Sequence, residues 1–210
     1  TWSYRRNGGT VLQPLRDDQP CLIDANDKVG TRFVGLTFHG RKAGREMHGL
    51  VARRRGRNTP VGERDEELDL VLDNCHFVDF SGSGVRLTEA WAWHVRHCFF
   101  HRNGLDGLDA SGSYDAWILD NIFAGNGRFG LRGEVLAAAT ITGNRIEWNH
   151  RGGIRLGDDY SDNVQITGNF FDACFGPAIW IEGRSHHCIT ITGNTFRRSG
   201  RDCADRPDEK

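Results

Sequence analysis

The chain has 210 residues, enough for one sizeable core, and its 27 Lys plus Arg almost cancel its 28 Asp plus Glu to leave a formal net charge of −1. That balance excludes the broad basic field that draws a protein to nucleic acid or an anionic membrane surface, and no run of 18 apolar residues is present to cross a bilayer. Gly occurs 27 times and Met once, a composition of turns and strands rather than of helices.

The first nine residues, "TWSYRRNGG", lack the charged start and apolar stretch of a signal peptide, so the sequence supplies no cellular address. Residues 9–38 read as one or two opening coils of a repeat, with Leu36 and Phe38 beginning two columns that recur downstream. Residues 40–68 break the register and read as a long turn inserted between coils. Within it a basic run precedes an acidic one, which suits a solvated loop that partly neutralises itself, or a lid over a neighbouring face.

From residue 70 the repeat dominates. Aligning "VLDNCHF", "VRHCFF", "ILDNIF", "ITGNRI", "ITGNFF" and "ITGNTF" makes Cys75, Cys98, Asn121, Asn144, Asn169 and Asn194 equivalent, with spacings of 23, 23, 23, 25 and 25 residues. Apolar pairs precede this position by five and three residues, from Leu70 and Leu72 to Ile189 and Ile191, and mark a strand with one buried face. Two residues after it come Phe77, Phe100, Phe123, Ile146, Phe171 and Phe196. A second half-buried strand follows each time, as Val85 and Leu87, Leu108 and Ala110, Leu131 and Gly133, Ile154 and Leu156, and Ile179 and Ile181.

Three short strands per repeat with no helical segment describe an all-β solenoid, a parallel β-helix of about seven to eight coils. The general crossover preference makes it right-handed. Each coil buries its apolar face only against its neighbours, about 4.8 Å away. Stacked Asn side chains satisfy backbone groups in the buried turns, and Asn103, Asn126 and Asn149 form a second ladder. A leucine-rich repeat also fits "VQITGN", but it lacks the further leucines and the convex helix. The whole chain, 1–210, reads as one domain, whose ends suit a piece of a longer helix or one completed by oligomer contacts.

The six cysteines (21, 75, 98, 174, 188 and 203) follow no metal-ligand spacing and read as buried free thiols. His94, His97 and His101 read as surface or turn residues. No metal site is expected from the residues.

Through "ITGNRIEWN", "ITGNFF" and the G-I-x-L strand, residues 10–205 resemble the pectate-lyase-like right-handed parallel β-helix superfamily. The resemblance implies a carbohydrate ligand, commonly an acidic polysaccharide, with calcium possible and no other cofactor required. It also implies an extracellular, periplasmic or virion-associated setting. In such proteins the sugar groove runs along the G-I-x-L strand, where Arg86, Asp109, Arg132, Arg155 and Trp180 point outward, one per coil. Glu134 and Glu182 lie two residues further on, and Asp106 three residues before Asp109.

Under this reading Asp109, Asp106, Arg132 and Glu134 are the catalytic candidates, and Arg86, Arg155, Trp180 and Glu182 bind substrate. Asp109 lies between arginines of adjacent coils, which favours its negative charge and suits a base, a nucleophile or a metal ligand. Arginine forks can neutralise a uronate carboxylate and ease loss of the neighbouring proton. The run "DGLDASG" is similar to the D-G-x-D strand of polygalacturonases, which carries a catalytic role to Asp106. The next coil, "RFGLRG", lacks the paired aspartate, and "GDD" at 157–159 follows its strand instead of preceding it.

The expected function is therefore a polysaccharide lyase or C5-epimerase. The alternatives are a glycan-binding, trimeric tailspike-like module and a neutral-glycan hydrolase or fructan transferase. Neither nucleic acid nor membrane is an expected partner. The plain reading of the column is a surface charge ladder, and of Asp106 a residue that shapes its turn.

Overall fold

The structure, a computed structural model, describes residues 9–53 and 68–200. Strands from successive coils pair in parallel and build a solenoid with three sides. One side is an eight-stranded sheet of short strands running from Val11–Leu12 through His76–Val78 and Phe99–His101 to Thr195–Arg197. The other two sides join into a thirteen-stranded sheet, because Phe129–Thr142 and Gly152–Thr167 run continuously around the corner between them. Three short strands per coil were expected. At these two places the third strand of one repeat fuses with the first strand of the next, since the corner needs only one left-handed residue, Ala138 (φ 49°) or Asn163 (φ 52°).

Left-handed residues recur at all three corners. The first corner uses Asp69, Ala92, Asp115, Ala138, Asn163 and Cys188. The second uses Asn74, His97, Asp120, Gly143, Gly168 and Gly193, and the third uses Asp79, Arg102, Gly125, Trp148, Ala173 and Arg198. Each non-glycine among them carries a steric cost of roughly 1–2 kcal/mol, so the bends must be held by what surrounds them.

At the second and third corners the next residue is the ladder position. Asn121 Oδ1 accepts the Cys98 N–H at 2.9 Å, while its Nδ2 donates to Val95 O at 2.8 Å and to Asn144 Oδ1 at 3.0 Å. Asn144 and Asn169 repeat the pattern one coil further on. The expected second ladder forms as well: Asn103 Nδ2 donates to Asn126 Oδ1 at 3.0 Å, and Asn126 Nδ2 to Asn149 Oδ1 at 2.9 Å. Cys75 and Cys98 occupy the first ladder with weaker thiol bonds, including Cys98 Sγ to Leu72 O at 3.4 Å.

Between the ladders the aromatic column stacks as the register dictates. Phe38 and Phe77 lie 4.6 Å apart, Phe77 and Phe100 5.3 Å, and Phe100 and Phe123 4.8 Å, with ring planes within 9° of parallel. Ile146 interrupts the stack, which resumes as Phe171 over Phe196. The core is continuous from Ala25 to Cys174.

The stretch from 40 to 68 is not all inserted turn. His48–Arg53 is a regular strand that pairs with Cys21–Asp24 on one side and Val85–Thr88 on the other, with Leu50 and Ala52 fully buried. Its periodicity is hidden because Leu50 pairs with Val85, 35 residues away instead of 23. Residues 54–67, between the strand and the next coil, lie outside the described residues, as does Cys203. Of the other cysteines, all free thiols, Cys75, Cys98 and Cys174 are buried as expected, whereas Cys21 is half-buried and Cys188 exposed. His97 sits at a corner beside Asp73 and His94 stacks on Trp117, while burial lowers the pKa of His101 to about 4.

Replacing Asn121 with Ala should lower unfolding stability by about 2–4 kcal/mol, because it strands a buried N–H and a buried carbonyl. Asn194→Ala removes the same kind of side chain from a half-buried position where water can substitute, and should cost clearly less. Urea unfolding of both variants measures the difference; equal losses would show that the ladder is not what holds the corners.

Candidate functional site

Parallel pairing without slippage fixes the outward column. Val51, Arg86, Asp109, Arg132, Arg155 and Trp180 are register partners in succession, so the column expected from the repeat is the one the fold builds. Beneath it, Leu50, Val85, Leu108, Leu131 and Ile154 are fully buried and anchor each strand.

The column is a chain of ion pairs. Arg132 Nη1 lies 3.3 Å from Asp109 Oδ2, and Arg86 Nε lies 3.8 Å from the same oxygen. Ser111 Oγ donates to Asp109 Oδ1 at 2.6 Å. Glu134 Oε1 receives both Arg132 and Arg155, and Arg155 Nη2 reaches Glu182 Oε2 at 2.9 Å. Burial alone would raise the pKa of Glu134, but the two guanidiniums bring it below the ordinary value. Trp180 is partly exposed and meets Phe129 edge-on at 6.1 Å, with the Arg155 guanidinium 6.0 Å from both rings.

This arrangement changes what the arginines can do. Arg132 and Arg155 are already engaged by resident carboxylates, so neutralising a sugar carboxylate would require them to break existing pairs. Arg86 is the least committed of the three, with its side chain 47% exposed. The same pairing argues against calcium: Asp109 and Glu134 each face guanidinium groups, and among the described residues no group of three His, Cys, Asp or Glu could hold a metal ion. The residues do not fit the ion.

Asp106 lies behind the column and is 1% exposed. Its Oδ1 accepts the Phe129 N–H at 3.0 Å, and Arg128 Nη1 is 3.9 Å from Oδ2. Burial pushes its pKa up to about 6, only partly offset by that N–H and by Arg128. The side chain thus does two things at once: it ties its turn to the next coil, and it keeps a carboxyl group that titrates near neutrality.

Sequence reasoning missed three neighbours: Ser111, Arg128 and His48. His48 occupies the slot two residues before Leu50, as Ser83 does before Val85 and Asp106 before Leu108. The shared slot was concealed by the broken spacing. His48 is 6% exposed, and its Nδ1 accepts the Ser83 N–H at 2.9 Å, just as Asp106 accepts that of Phe129. Burial lowers its pKa, and Arg86 lowers it further, while Glu46 and Asp109 act in the opposite direction.

Because Asp106 titrates above the ordinary carboxyl value of about 3.9, its ionisation costs folding free energy. That cost is absent below about pH 4 and complete above about pH 6. Asp106→Asn, which keeps an oxygen to accept the Phe129 N–H, should therefore raise stability at pH 8 by on the order of 2–3 kcal/mol and change it little at pH 4. Urea unfolding at the two pH values tests this; an equal change at both would contradict it.

Residues 62–204 match the family described as the right handed beta helix region. No curated protein sequence matches the chain. Among solved structures, the fold is similar to the crystal structure of the enzymatically active domain of bacteriophage CBA120 tailspike protein 2. The TM-score is 0.55 with 13% sequence identity, over 91% of this chain and 34% of the tailspike chain. At that identity the likeness speaks for the fold, and this chain spans about a third of the tailspike's length. The repeat, the parallel register and the family match lead to one conclusion: the chain belongs to the right-handed β-helix family.

Proposed function

We propose that this protein acts on a polysaccharide laid along the outward column, and that the reaction is hydrolysis of a glycosidic bond. The observation that carries this reading is the pair Asp106 and Asp109. They are two buried carboxyl groups three residues apart with different partners: burial pushes the pKa of Asp106 up to about 6, while Asp109 is held between two guanidiniums. Asp106 supplies the proton to the leaving oxygen, and Asp109 activates the water that attacks the anomeric carbon. Arg128, whose Nη1 lies 3.9 Å from Asp106 Oδ2, moves aside to admit the sugar. Trp180 offers a ring face for stacking, and Arg86 with the Glu134 and Glu182 pairs lines the track. The tailspike neighbour, whose described domain is enzymatically active, is compatible with this reading.

Hydrolysis is preferred to the lyase or epimerase route because Asp106, its pKa raised to about 6 by burial, can give a proton to the leaving oxygen, whereas of the three arginines only Arg86 is free to neutralise a uronate carboxylate. Arg132 and Arg155 are already engaged by Asp109, Glu134 and Glu182. A second reading, glycan binding without turnover, draws on the low exposure of both aspartates, 1% for Asp106 and 5% for Asp109.

Incubation with acidic and neutral polysaccharides, read by product mass and by absorbance of unsaturated uronides, separates the readings. Hydrolysis predicts new reducing ends without absorbance, and a loss of at least about 10²-fold in Asp106→Asn and in Asp109→Asn. Unsaturated products would establish a lyase instead, and binding without product would favour the second reading.

A further inference from the structure

His48 and Arg86 meet in a way that their own chemistry does not satisfy. The Ser83 N–H can only donate, so His48 Nδ1 accepts it, at 2.9 Å, and the ring proton sits on Nε2. That nitrogen lies 3.4 Å from Arg86 Nη1, which is also always a donor. The contact is thus two N–H groups converging, and their common partner is an oxygen. Glu46 Oε1 stands 3.8 Å from His48 Nε2, beyond hydrogen-bond reach, on a side chain 62% exposed.

The imidazole is fixed from below. A Cβ on Gly82 would come within 2.7 Å of His48 Nδ1, so glycine there permits the close seat of the ring. Arg86 forms the solvent-side jaw, with its Nε 3.8 Å from Asp109 Oδ2.

We infer that His48 and Arg86 form a subsite for the carboxylate of an acidic sugar residue, one coil away from Asp109. This rests on the proposed action on a polysaccharide and goes further, giving the substrate an acidic residue at a stated place. A carboxylate offers two oxygens to the pair, one to the neutral Nε2–H and one to the guanidinium, and displaces Glu46 from the edge of the site. The acidic group is therefore read by Arg86 and His48, not by Arg132 and Arg155.

The experiment is long-range ¹H–¹⁵N NMR of the His48 ring in the intact chain, titrated with D-galacturonate and, separately, with methyl galactoside as the uncharged probe. The expected spectrum is that of the Nε2–H tautomer, with a saturable shift under galacturonate and none under methyl galactoside. Arg86→Gln should weaken the galacturonate response by about tenfold or more, the loss expected of a charge-assisted hydrogen bond. His48→Gln, which keeps both an acceptor for Ser83 and an N–H donor, should retain part of the affinity when binding is followed at the Arg86 side chain.

An Nδ1–H tautomer, equal responses to the two probes, or no response to galacturonate would overturn the subsite. Because the readout is binding, its outcome is independent of turnover. A responding subsite with no polysaccharide cleaved leaves the inference standing and sinks hydrolysis, whereas cleavage without a His48 response does the reverse.

Discussion

Every coil must turn three corners with left-handed residues, and the amide groups exposed by those turns must find partners inside the core. This constraint organises the molecule. Asparagine, placed immediately after the second and third corners, meets it in one step. Its oxygen takes the N–H of the coil on one side, while its amide nitrogen serves a carbonyl and the next asparagine. Each ladder residue so fixes the phase of its neighbour, and a slip of one residue would break several buried bonds at once. The uniform 23- and 25-residue spacing follows from that demand, and the parallel stack of phenylalanines follows from the spacing.

The outward face inherits this order. Once the register is fixed, one side chain per coil projects at roughly 4.8 Å from the next, and unlike charges become neighbours whether or not they serve a ligand. The alternation Arg86, Asp109, Arg132, Glu134, Arg155, Glu182 is therefore largely self-neutralising. That balance is interrupted at two buried positions behind the column. Asp106 sits in a slot that otherwise serves turn-to-coil bonding, yet it brings an ionisable group to a buried position. His48 brings a fixed N–H donor to another position in the same slot. Here the solenoid's structural device and its ionisable groups share the same atoms.

Much of this was legible in the sequence, since a repeat prints its register directly. The ladder positions, the phenylalanine column and the order of the outward residues could all be read by alignment of the coils with one another. The corners were harder to see. Only some left-handed positions are glycine, and residues such as Trp148, Ala173 and Arg198 adopt the conformation because neighbouring coils hold them there. The strand at His48–Arg53 was lost because the segment after it lengthens the coil, so its partner lies outside the repeat distance. The engagement of Arg132 and Arg155 was also hidden: residue order gives the column, but not which carboxylate each guanidinium chooses.

The central claim is that Asp106, held near pH 6 by burial, is the proton donor of a hydrolytic pair with Asp109. The pH dependence of kcat/KM on a cleaved polysaccharide tests it most directly, because the profile reports the donor's ionisation in the free protein. The account predicts a fall in rate as pH rises through about 6, together with a carbon-13 carboxyl resonance of Asp106 that titrates over the same range. A rate unchanged between pH 5 and about 8, or an Asp106 resonance already fully ionised at pH 5, would contradict it.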